Sequence, residues 1–272
     1  MPVRFKQDSN YVPGVNRARF PITGTGAIRN VGSFQSIFDP NVSLLLHGDG
    51  DNNSTAFVDS TIYSNTFTRY GGTVISTAQS KFNGSSIYFQ ASSQSGLVAT
   101  PGSHLSFGTG NFTVECWLYL DSYGSTFGGP ASSYWASFYD SAVSHLELYR
   151  YNGFMGLISN VGTIGLYSSG GIFLSSSASL SLSTWQHVAL VRSSGTVNIY
   201  IDGINRGSAS FSTNLSLDGC VIGSPRDRLP PANNNNEQIK LNGYVDEFRI
   251  KKGVAEYTTN FTPPTLRFPD AI

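Results

Sequence analysis

The sequence is poor in charge. Asp, Glu, Lys and Arg make up 12% of its 272 residues, whereas about 25% is usual for globular proteins. Its polar surface must therefore consist of Ser, Thr, Asn and Gly, a composition common among proteins exposed outside cells. The 17 basic residues are balanced by 17 acidic ones, and no basic stripe runs through the chain, which argues against nucleic-acid binding.

Cysteines and long apolar runs are also scarce. Cys116 and Cys220 are too few for a disulfide framework and are expected to be buried free thiols. No apolar segment follows the charged residues of 1–10, so we predict no secretory signal peptide. No run approaches the roughly 20 apolar residues that span a membrane. An exterior-type surface without an export signal fits a virion, which assembles in the host cytoplasm and is released by lysis.

Residues 1–42 follow neither the helical nor the strand period. They carry five basic and two acidic residues, a net charge of +3 against −3 for residues 43–272. Apolar anchors nevertheless recur along the segment, among them Phe5, Tyr11, Phe20, Phe34 and Phe38. A disordered tail would be poorer in aromatic residues. We therefore expect an extended anchoring arm, ordered by lying on a partner subunit or on the body of the protein.

From residue 43 onward, short β-rich runs alternate with Gly, Ser and Asn turns. The pattern predicts strands at 43–47, 86–90, 112–120, 136–140, 146–151, 155–158, 186–192, 197–201, 207–211, 220–222 and 243–250. The predicted inward positions of the third strand are Phe112, Val114, Cys116, Leu118 and Leu120, and Asp202-Gly203 marks a hairpin turn. Many short strands without a helix predict an all-β sandwich or barrel.

Seven segments in a fixed order carry a resemblance. They are LLLHGDG at 44–50, FVDS at 57–60, KFNGSSIYF at 81–89, FGTGNFTVECW at 107–117, TWQHVALVR at 184–192, IYIDG at 199–203 and GYVDEFRI at 243–250. Together they resemble the laminin-G-like, concanavalin A-like lectin/glucanase superfamily. The resemblance implies a two-sheet antiparallel jelly roll over residues 43–272.

The segment KGVAEYTTNFTPP at 252–264 resembles the version of this domain found in structural proteins of tailed bacteriophages. This likeness implies a non-catalytic role on a virion. The partners implied are other virion proteins, either the major capsid protein or a tail component, together with copies of the chain itself.

Catalytic patterns are missing from the sequence. Glycoside hydrolysis needs two carboxylates across the scissile bond, and the glucanase members of the superfamily carry a Glu-x-Asp-x-x-Glu strand that we do not find. Asp246 and Glu247 are neighbours and would face opposite sides of a strand. Glu115 stands alone. His187, on a predicted strand, fits a hydrogen-bonded structural histidine better than a general base. The chain is therefore predicted not to be an enzyme.

Calcium is the one cofactor that the sequence leaves open. The predicted strand 243–250 places Asp246 on the same face as Phe248, pointing inward, where an unpaired carboxylate is unfavourable. Either hydrogen bonds alone satisfy Asp246, or it binds calcium with the turn 47–53, which supplies Asp49 and Asp51. Related lectin-like domains often hold calcium near these two segments.

The aromatic residues leave a second alternative for function. Tyr134, Trp135, Phe138, Tyr139, Tyr149 and Tyr151 could form a sugar platform, although core packing explains most of them better. Trp117 and Trp185 are also predicted to be core residues. The favoured interpretation is a capsid decoration or cement protein on the exterior of a phage particle, anchored by residues 1–42, because no fibre-like stalk is present. The alternative is a tail- or fibre-associated adhesin, or a lectin that contacts host-surface glycans.

Overall fold

The computed structural model describes residues 39–90, 95–123, 132–142, 154–168, 171–225, 229 and 240–272. The predicted arm lies outside these ranges except for residues 39–42, and so do its anchors Phe5, Tyr11, Phe20, Phe34 and Phe38. The strand predicted at 146–151 also lies outside them. No helix in the described ranges has the length and apolar character needed to cross a membrane.

Fifteen described strands form two antiparallel sheets, which confirms the predicted all-β sandwich. The strands are β1 (Val42–Leu46), β2 (Phe67–Tyr70), β3 (Val74–Ser76), β4 (Ser86–Phe89), β5 (Gly96–Ala99), β6 (Phe112–Leu120), β7 (Ser132–Tyr139), β8 (Phe154–Ser159), β9 (Thr163–Ser168), β10 (Gly171–Ser179), β11 (Gln186–Ser193), β12 (Thr196–Ile201), β13 (Ile204–Ser210), β14 (Gly219–Ile222) and β15 (Gly243–Lys252). The eight-stranded sheet has the order β13-β12-β11-β6-β15-β4-β3, and β1 also pairs with β15. The seven-stranded sheet has the order β10-β9-β8-β7-β14-β5-β2.

Strand β6 lies in the middle of the eight-stranded sheet and shows how the sequence builds the core. Its predicted inward residues Phe112, Val114, Cys116, Leu118 and Leu120 are all buried in the main hydrophobic cluster. The seven-stranded sheet contributes Trp135, Phe138 and Phe154 to the same cluster. Each fully buried side chain of this size contributes about 1.5–3 kcal/mol. Cys116 and Cys220 are buried and free, as predicted.

Strands β2, β3, β5, β9 and β10 were not predicted. Strands β2, β3 and β5 have only three or four residues, too few to show a period. Strand β10 has the sequence GIFLSSSAS and is largely exposed. Its serine-rich composition is typical of a loop, so the sequence does not indicate a strand there. These strands form because their neighbours supply the hydrogen-bonding edge, which short-range patterns do not reveal.

The turn between β12 and β13 has the predicted form. Asp202 and Gly203 have φ angles of 48° and 75°, as a two-residue hairpin turn of type I′ requires. The Gly203 carbonyl accepts a hydrogen bond from the Phe261 N–H at 2.9 Å, and a side chain at Gly203 would collide with the Phe261 backbone. This turn therefore also fixes the C-terminal segment.

Strand β15 departs from the predicted alternation. Its pairing with β6 shifts register between Asp246 and Arg249, and Glu247 has a φ of 53°. Val245 and Phe248 belong to the core, whereas Asp246 pairs with Trp117, an outward position of β6. The prediction that Asp246 shares the inward face with Phe248 is therefore wrong, because the extra residue of a β-bulge reverses the alternation beyond it.

The face of the eight-stranded sheet that points away from the core is called the outer face below. The C-terminal segment crosses part of it: Tyr257 and Phe261 stack with ring centroids 3.5 Å apart and pack on Tyr200. Further along, the Arg249 guanidinium carbon lies 3.6 Å from the Phe268 ring centroid. The segment of residues 252–264 therefore covers one end of the outer face.

Candidate functional site

Asp246 lies on the outer face beneath the loop between β3 and β4. Its Oδ2 atom accepts hydrogen bonds from the backbone N–H groups of Lys81 at 2.8 Å and Phe82 at 3.1 Å. Its Oδ1 atom is buried without a hydrogen-bond partner in the described part of the chain. Burial is the largest influence on the carboxyl group and raises its pKa to about 7, although the two backbone donors oppose this.

The other two predicted calcium ligands are differently placed. Asp49 Oδ2 accepts hydrogen bonds from Asn83 at 3.2 Å and Arg267 at 3.1 Å, and Asp51 is exposed. No three His, Cys, Asp or Glu side chains in the described ranges come together as a metal site. The buried Oδ1 of Asp246 is an oxygen that a cation would take, but the three carboxylates do not fit one shared calcium ion as they stand. Calcium binding stays a prediction.

His47 forms a charged cluster that the sequence did not predict. Its Nδ1 lies 2.7 Å from Glu247 Oε1, and its Nε2 lies 2.9 Å from Asp270 Oδ1. Glu247 Oε2 also accepts a hydrogen bond from the Phe268 N–H at 2.8 Å. Burial lowers the pKa of His47, but the two carboxylates outweigh it and raise the pKa overall. The cluster therefore joins the end of the chain to β1 and β15.

A cleft of about 220 Å³ opens beside this cluster. It is lined by Leu46, His47, Gly48, Asp49, Phe57, Val58, Ser60, Ile75, Ile87, Arg267 and Asp270. Arg267 lies 3.1 Å from Asp49 and 3.5 Å from Asp270. Because these charges are paired with one another, the cleft offers a ligand little free charge.

Glu115 is fully buried on the outer face within a second network. Its Oε1 accepts two hydrogen bonds from Arg249, at 2.9 and 2.6 Å. Its Oε2 lies 3.1 Å from His187 Nε2 and accepts a hydrogen bond from the Tyr257 hydroxyl at 2.8 Å. Burial alone would raise the pKa of Glu115, but Arg249 and His187 lower it to about 2. Glu115 is therefore held as a carboxylate, which cannot serve as a general acid.

Four aromatic side chains form a row across the outer face, called the aromatic row below. Tyr244 is the cross-strand partner of both Tyr119 on β6 and Tyr88 on β4, and Trp185 precedes β11. Successive ring centroids are 5.6 Å apart from Trp185 to Tyr119, 5.7 Å from Tyr119 to Tyr244 and 4.7 Å from Tyr244 to Tyr88. Tyr244 is buried, and the other three are half-buried.

The aromatic row differs from the rest of the outer face in its polar atoms. The hydroxyls of Tyr88 and Tyr119 and the indole N–H of Trp185 have no hydrogen-bond partner in the described ranges, yet they are not enclosed. A polar rim lies alongside the row, next to its two middle strands β6 and β15. There the Asp121 N–H donates to the Asn242 carbonyl at 3.0 Å, and the Asn242 side chain donates to Ser122 at 2.9 Å. Aromatic faces and polar groups without a partner among the described residues thus share one surface.

The aromatic residues weighed in the sequence fall into two groups. Tyr134, Trp135, Phe138 and Tyr139 are buried, which confirms packing as their role, and Tyr149 and Tyr151 lie outside the described residues. Trp117 is buried, as predicted, although on the outer face, with Lys81 Nζ 3.9 Å from its ring centroid. The prediction that Trp185 is a core residue is wrong, because it is half-buried and belongs to the aromatic row. An indole at an outward strand position can be buried by a loop rather than by the core.

Solved structures share the fold at low sequence identity. The binding domain of Paraclostridial Mosquitocidal Protein 1 is 13% identical, with a TM-score of 0.57, over 78% of this chain and 49% of that one. Domain 4 of an extracellular arabinanase from Geobacillus stearothermophilus, solved with arabinotriose, is 16% identical with a TM-score of 0.53, over 78% and 93%. A structure of botulinum neurotoxin type C, whose cell entry depends on two ganglioside molecules, is 12% identical with a TM-score of 0.53, over 79% and 48%.

The chain thus spans about half the length of the mosquitocidal-protein and neurotoxin structures. No curated protein sequence matches it significantly. The family model described as the concanavalin A-like lectin/glucanases superfamily matches residues 91–256, more than half of the chain. This agrees with the resemblance of the ordered segments and with the two-sheet sandwich. The chain therefore belongs to the concanavalin A-like lectin/glucanase superfamily.

Proposed function

We propose that this chain is a non-catalytic carbohydrate-binding module and that the aromatic row is its binding surface. The row is the observation that carries the proposal, because it combines half-buried rings with hydroxyl and indole donors that have no described partner. Sugars have apolar C–H faces that pack on aromatic rings and hydroxyls that exchange hydrogen bonds with such groups. Burying the row under a sugar would satisfy both.

The remaining outer face supports a binding role without catalysis. A glycosidase needs one carboxylic acid that can give up its proton and a second carboxylate nearby. Glu115 is engaged by Arg249, His187 and Tyr257, and Asp246 is buried under Lys81 and Phe82. Among the structures with a similar fold, one was solved with arabinotriose and one concerns ganglioside-dependent entry, which supports carbohydrate as the ligand class.

A glycan array with the full-length chain tests the proposal. We expect selective binding to a subset of oligosaccharides, and at least a tenfold loss in the Tyr119→Ala and Trp185→Ala variants, because each removes a stacking surface. Tyr63→Ala is the matched control: Tyr63 is an exposed tyrosine that stacks on His104, not on the aromatic row. Retained binding in both row variants, with an intact fold by circular dichroism, would contradict the proposal, and release of reducing ends from a bound sugar would contradict a non-catalytic role.

A second proposed role is compatible with the first. The arm of residues 1–42, with Phe5, Tyr11, Phe20, Phe34 and Phe38, suits anchoring to a larger assembly, and the segment 252–264 resembles phage structural proteins. We propose that the arm attaches the chain to the exterior of a virion as capsid decoration or cement, with a tail or fibre adhesin as the alternative. Its partners there would be the major capsid protein or a tail protein and copies of itself.

Deletion of residues 1–38 tests the anchoring role. The deletion should stop at residue 38 because the Asp39 carboxylate pairs with Lys251 at 2.9 Å and β1 begins at Val42. We expect the shortened chain to keep its unfolding temperature and lose incorporation into particles, measured by mass spectrometry of purified virions. Incorporation at the full-length level would refute an anchoring arm. Cryo-electron microscopy of the particles would then distinguish capsid lattice positions from the tail.

A further inference from the structure

Asp121 is an acidic residue at the rim of the aromatic row. It directly follows β6, and its N–H donates to the Asn242 carbonyl at 3.0 Å, which places it beside the start of β15 and hence beside Tyr244. Its side chain is exposed and has no hydrogen-bond or ion-pair partner in the ranges that the structure describes. Among the described residues, the rim of the row therefore carries a negative charge that no cation pairs with.

This charge acts on the row itself. Burial raises the pKa of both Tyr88 and Tyr244, and the negative charge of Asp121 is the next contribution in each case. Burial also raises the pKa of Asp121. Asp121 thus lies within electrostatic range of two of the four rings, in surroundings that are partly shielded from water.

In the part of the chain that the structure describes, the charges near the row do not offset Asp121. At the β11 end of the row, Gln186 follows Trp185, and its side chain donates to the Asp202 carboxylate at 2.9 Å, so this acidic residue is already paired. The cation on the outer face next to the row is Lys81, whose ammonium group lies over the Trp117 ring at 3.9 Å. A ligand on the row therefore meets the Asp121 carboxylate beside the two middle strands, while Lys81 is already engaged by an indole.

Resting on the proposed function, we infer that the row selects uncharged and amino-bearing sugars over sulfated or carboxylated ones, and that Asp121 determines this preference. A carboxylate accepts strong hydrogen bonds from sugar hydroxyls and ammonium groups. The same carboxylate repels an anionic substituent, and such repulsion is an effective means of excluding competing ligands.

The test is a glycan array on which each neutral oligosaccharide backbone is also printed in an amino and an O-sulfated form. The full-length chain should bind the neutral and amino forms more tightly than the sulfated form of the same backbone. The Asp121→Asn variant should raise the ratio of sulfated to neutral binding about fivefold at low salt, as expected for two unit charges about 4 Å apart in water. The increase should shrink in 0.5 M salt, because screening weakens the repulsion in the wild type.

Asp140→Asn is the matched control, since Asp140 lies at the end of β7, outside the row, and its carboxylate accepts a hydrogen bond from the Ala142 N–H. It should leave the ratio unchanged. Preferred binding of sulfated forms by the wild type, or an unchanged ratio in Asp121→Asn, would overturn the inference while the binding module stands. Absence of binding to every probe would overturn the proposed function, and this inference with it.

Discussion

The two ends of the outer face use the same sheet in opposite ways. At the covered end, Glu115 and Arg249 lie under Tyr257 and Phe268, which the C-terminal segment lays over the strands. At the open end, the aromatic row has no such cover in the described ranges. Where the C-terminal segment covers the sheet, Glu115 and Arg249 are paired within the protein. At the aromatic row, two tyrosine hydroxyls and an indole N–H have no hydrogen-bond partner in the described ranges.

The difference teaches that polar residues on a sheet face have to be judged by what covers them. Glu115 lies on β6 and Asp121 directly follows that strand, six residues further along the chain. Arg249 and His187 lower the pKa of Glu115 to about 2 despite its burial, whereas burial raises the pKa of Asp121, which has no described partner. The first carboxylate is engaged within the fold, and the second is the one that we propose meets a ligand.

The largest expected effect comes from breaking the covered end. Glu115→Ala leaves the buried Arg249 with only the long contact to Glu256, at 3.9 Å, and should lower the free energy of unfolding by about 3–5 kcal/mol. Urea denaturation followed by tryptophan fluorescence measures this. The control is Arg267→Ala, which removes exposed pairs with Asp49 and Asp270 and should cost about 1 kcal/mol or less. Equal losses in the two variants would show that the covered network does not stabilise the fold as described.

The border between the two ends gives the next largest effect. Asp246 is the cross-strand partner of Trp117 and lies two residues after Tyr244 of the aromatic row. Burial raises the pKa of the Asp246 carboxyl group from 3.8 to about 7. A carboxyl group whose pKa is higher in the folded state favours folding most at low pH, and this contribution is lost as the pH rises towards 7. The free energy of unfolding of the wild type should therefore fall by up to about 4 kcal/mol between pH 4 and pH 8. The Asp246→Asn variant should not show this fall.

Unfolding temperatures of the wild type and Asp246→Asn between pH 4 and pH 8 check this, with and without calcium. If a calcium ion binds the Asp246 carboxylate, calcium should raise the unfolding temperature of the wild type at pH 8 and not that of Asp246→Asn. No effect of calcium on either protein would leave hydrogen bonds alone to satisfy Asp246. A wild type whose stability does not fall with rising pH would contradict the raised pKa.

A smaller effect on stability is expected where the C-terminal segment contacts the eight-stranded sheet. Tyr257→Phe removes the hydroxyl that donates to the Glu115 carboxylate at 2.8 Å. Hydrogen bonds to charged groups contribute about 1.5–3 kcal/mol, so the substitution should lower the free energy of unfolding by an amount in that range. Thr259→Val, on the same segment but exposed, should change it by less than about 0.5 kcal/mol. A loss in Tyr257→Phe no larger than in Thr259→Val would mean that the segment covers the sheet without this hydrogen bond.

The same contrast explains how far the sequence could predict the structure. The alternation of β6 predicts its inward residues because one face of every strand in a sandwich is buried. The pattern does not predict which strands are neighbours. Tyr88, Tyr119 and Tyr244 are far apart in the sequence and meet only through the pairing of β4, β15 and β6. His47 likewise meets Glu247 and Asp270 at separations of 200 and 223 residues.

The incorrect placement of Asp246 has a more local cause. Alternation along 243–250 is a sound guide only while the strand stays regular, and the bulge at Glu247 interrupts it. A non-glycine residue with positive φ leaves no clear mark in the sequence, since Glu is not enriched in that conformation. The buried carboxylate was predicted, but its face was not.

The smallest effect on stability is expected at the open end. The substitution there is again tyrosine to phenylalanine, as it is for Tyr257 at the covered end. Tyr119→Phe removes a hydroxyl with no partner in the described ranges and should change the free energy of unfolding by less than about 0.5 kcal/mol. If the aromatic row binds sugar, that hydroxyl bonds the ligand, and its loss should weaken glycan binding about three- to tenfold, the worth of one net hydrogen bond. Calorimetric titration with the tightest-binding oligosaccharide from the array measures this beside Tyr257→Phe, which should destabilise the fold without that loss of affinity. If Tyr119→Phe destabilised the fold more and weakened binding less than Tyr257→Phe does, the covered end would not serve stability and the open end would not serve binding.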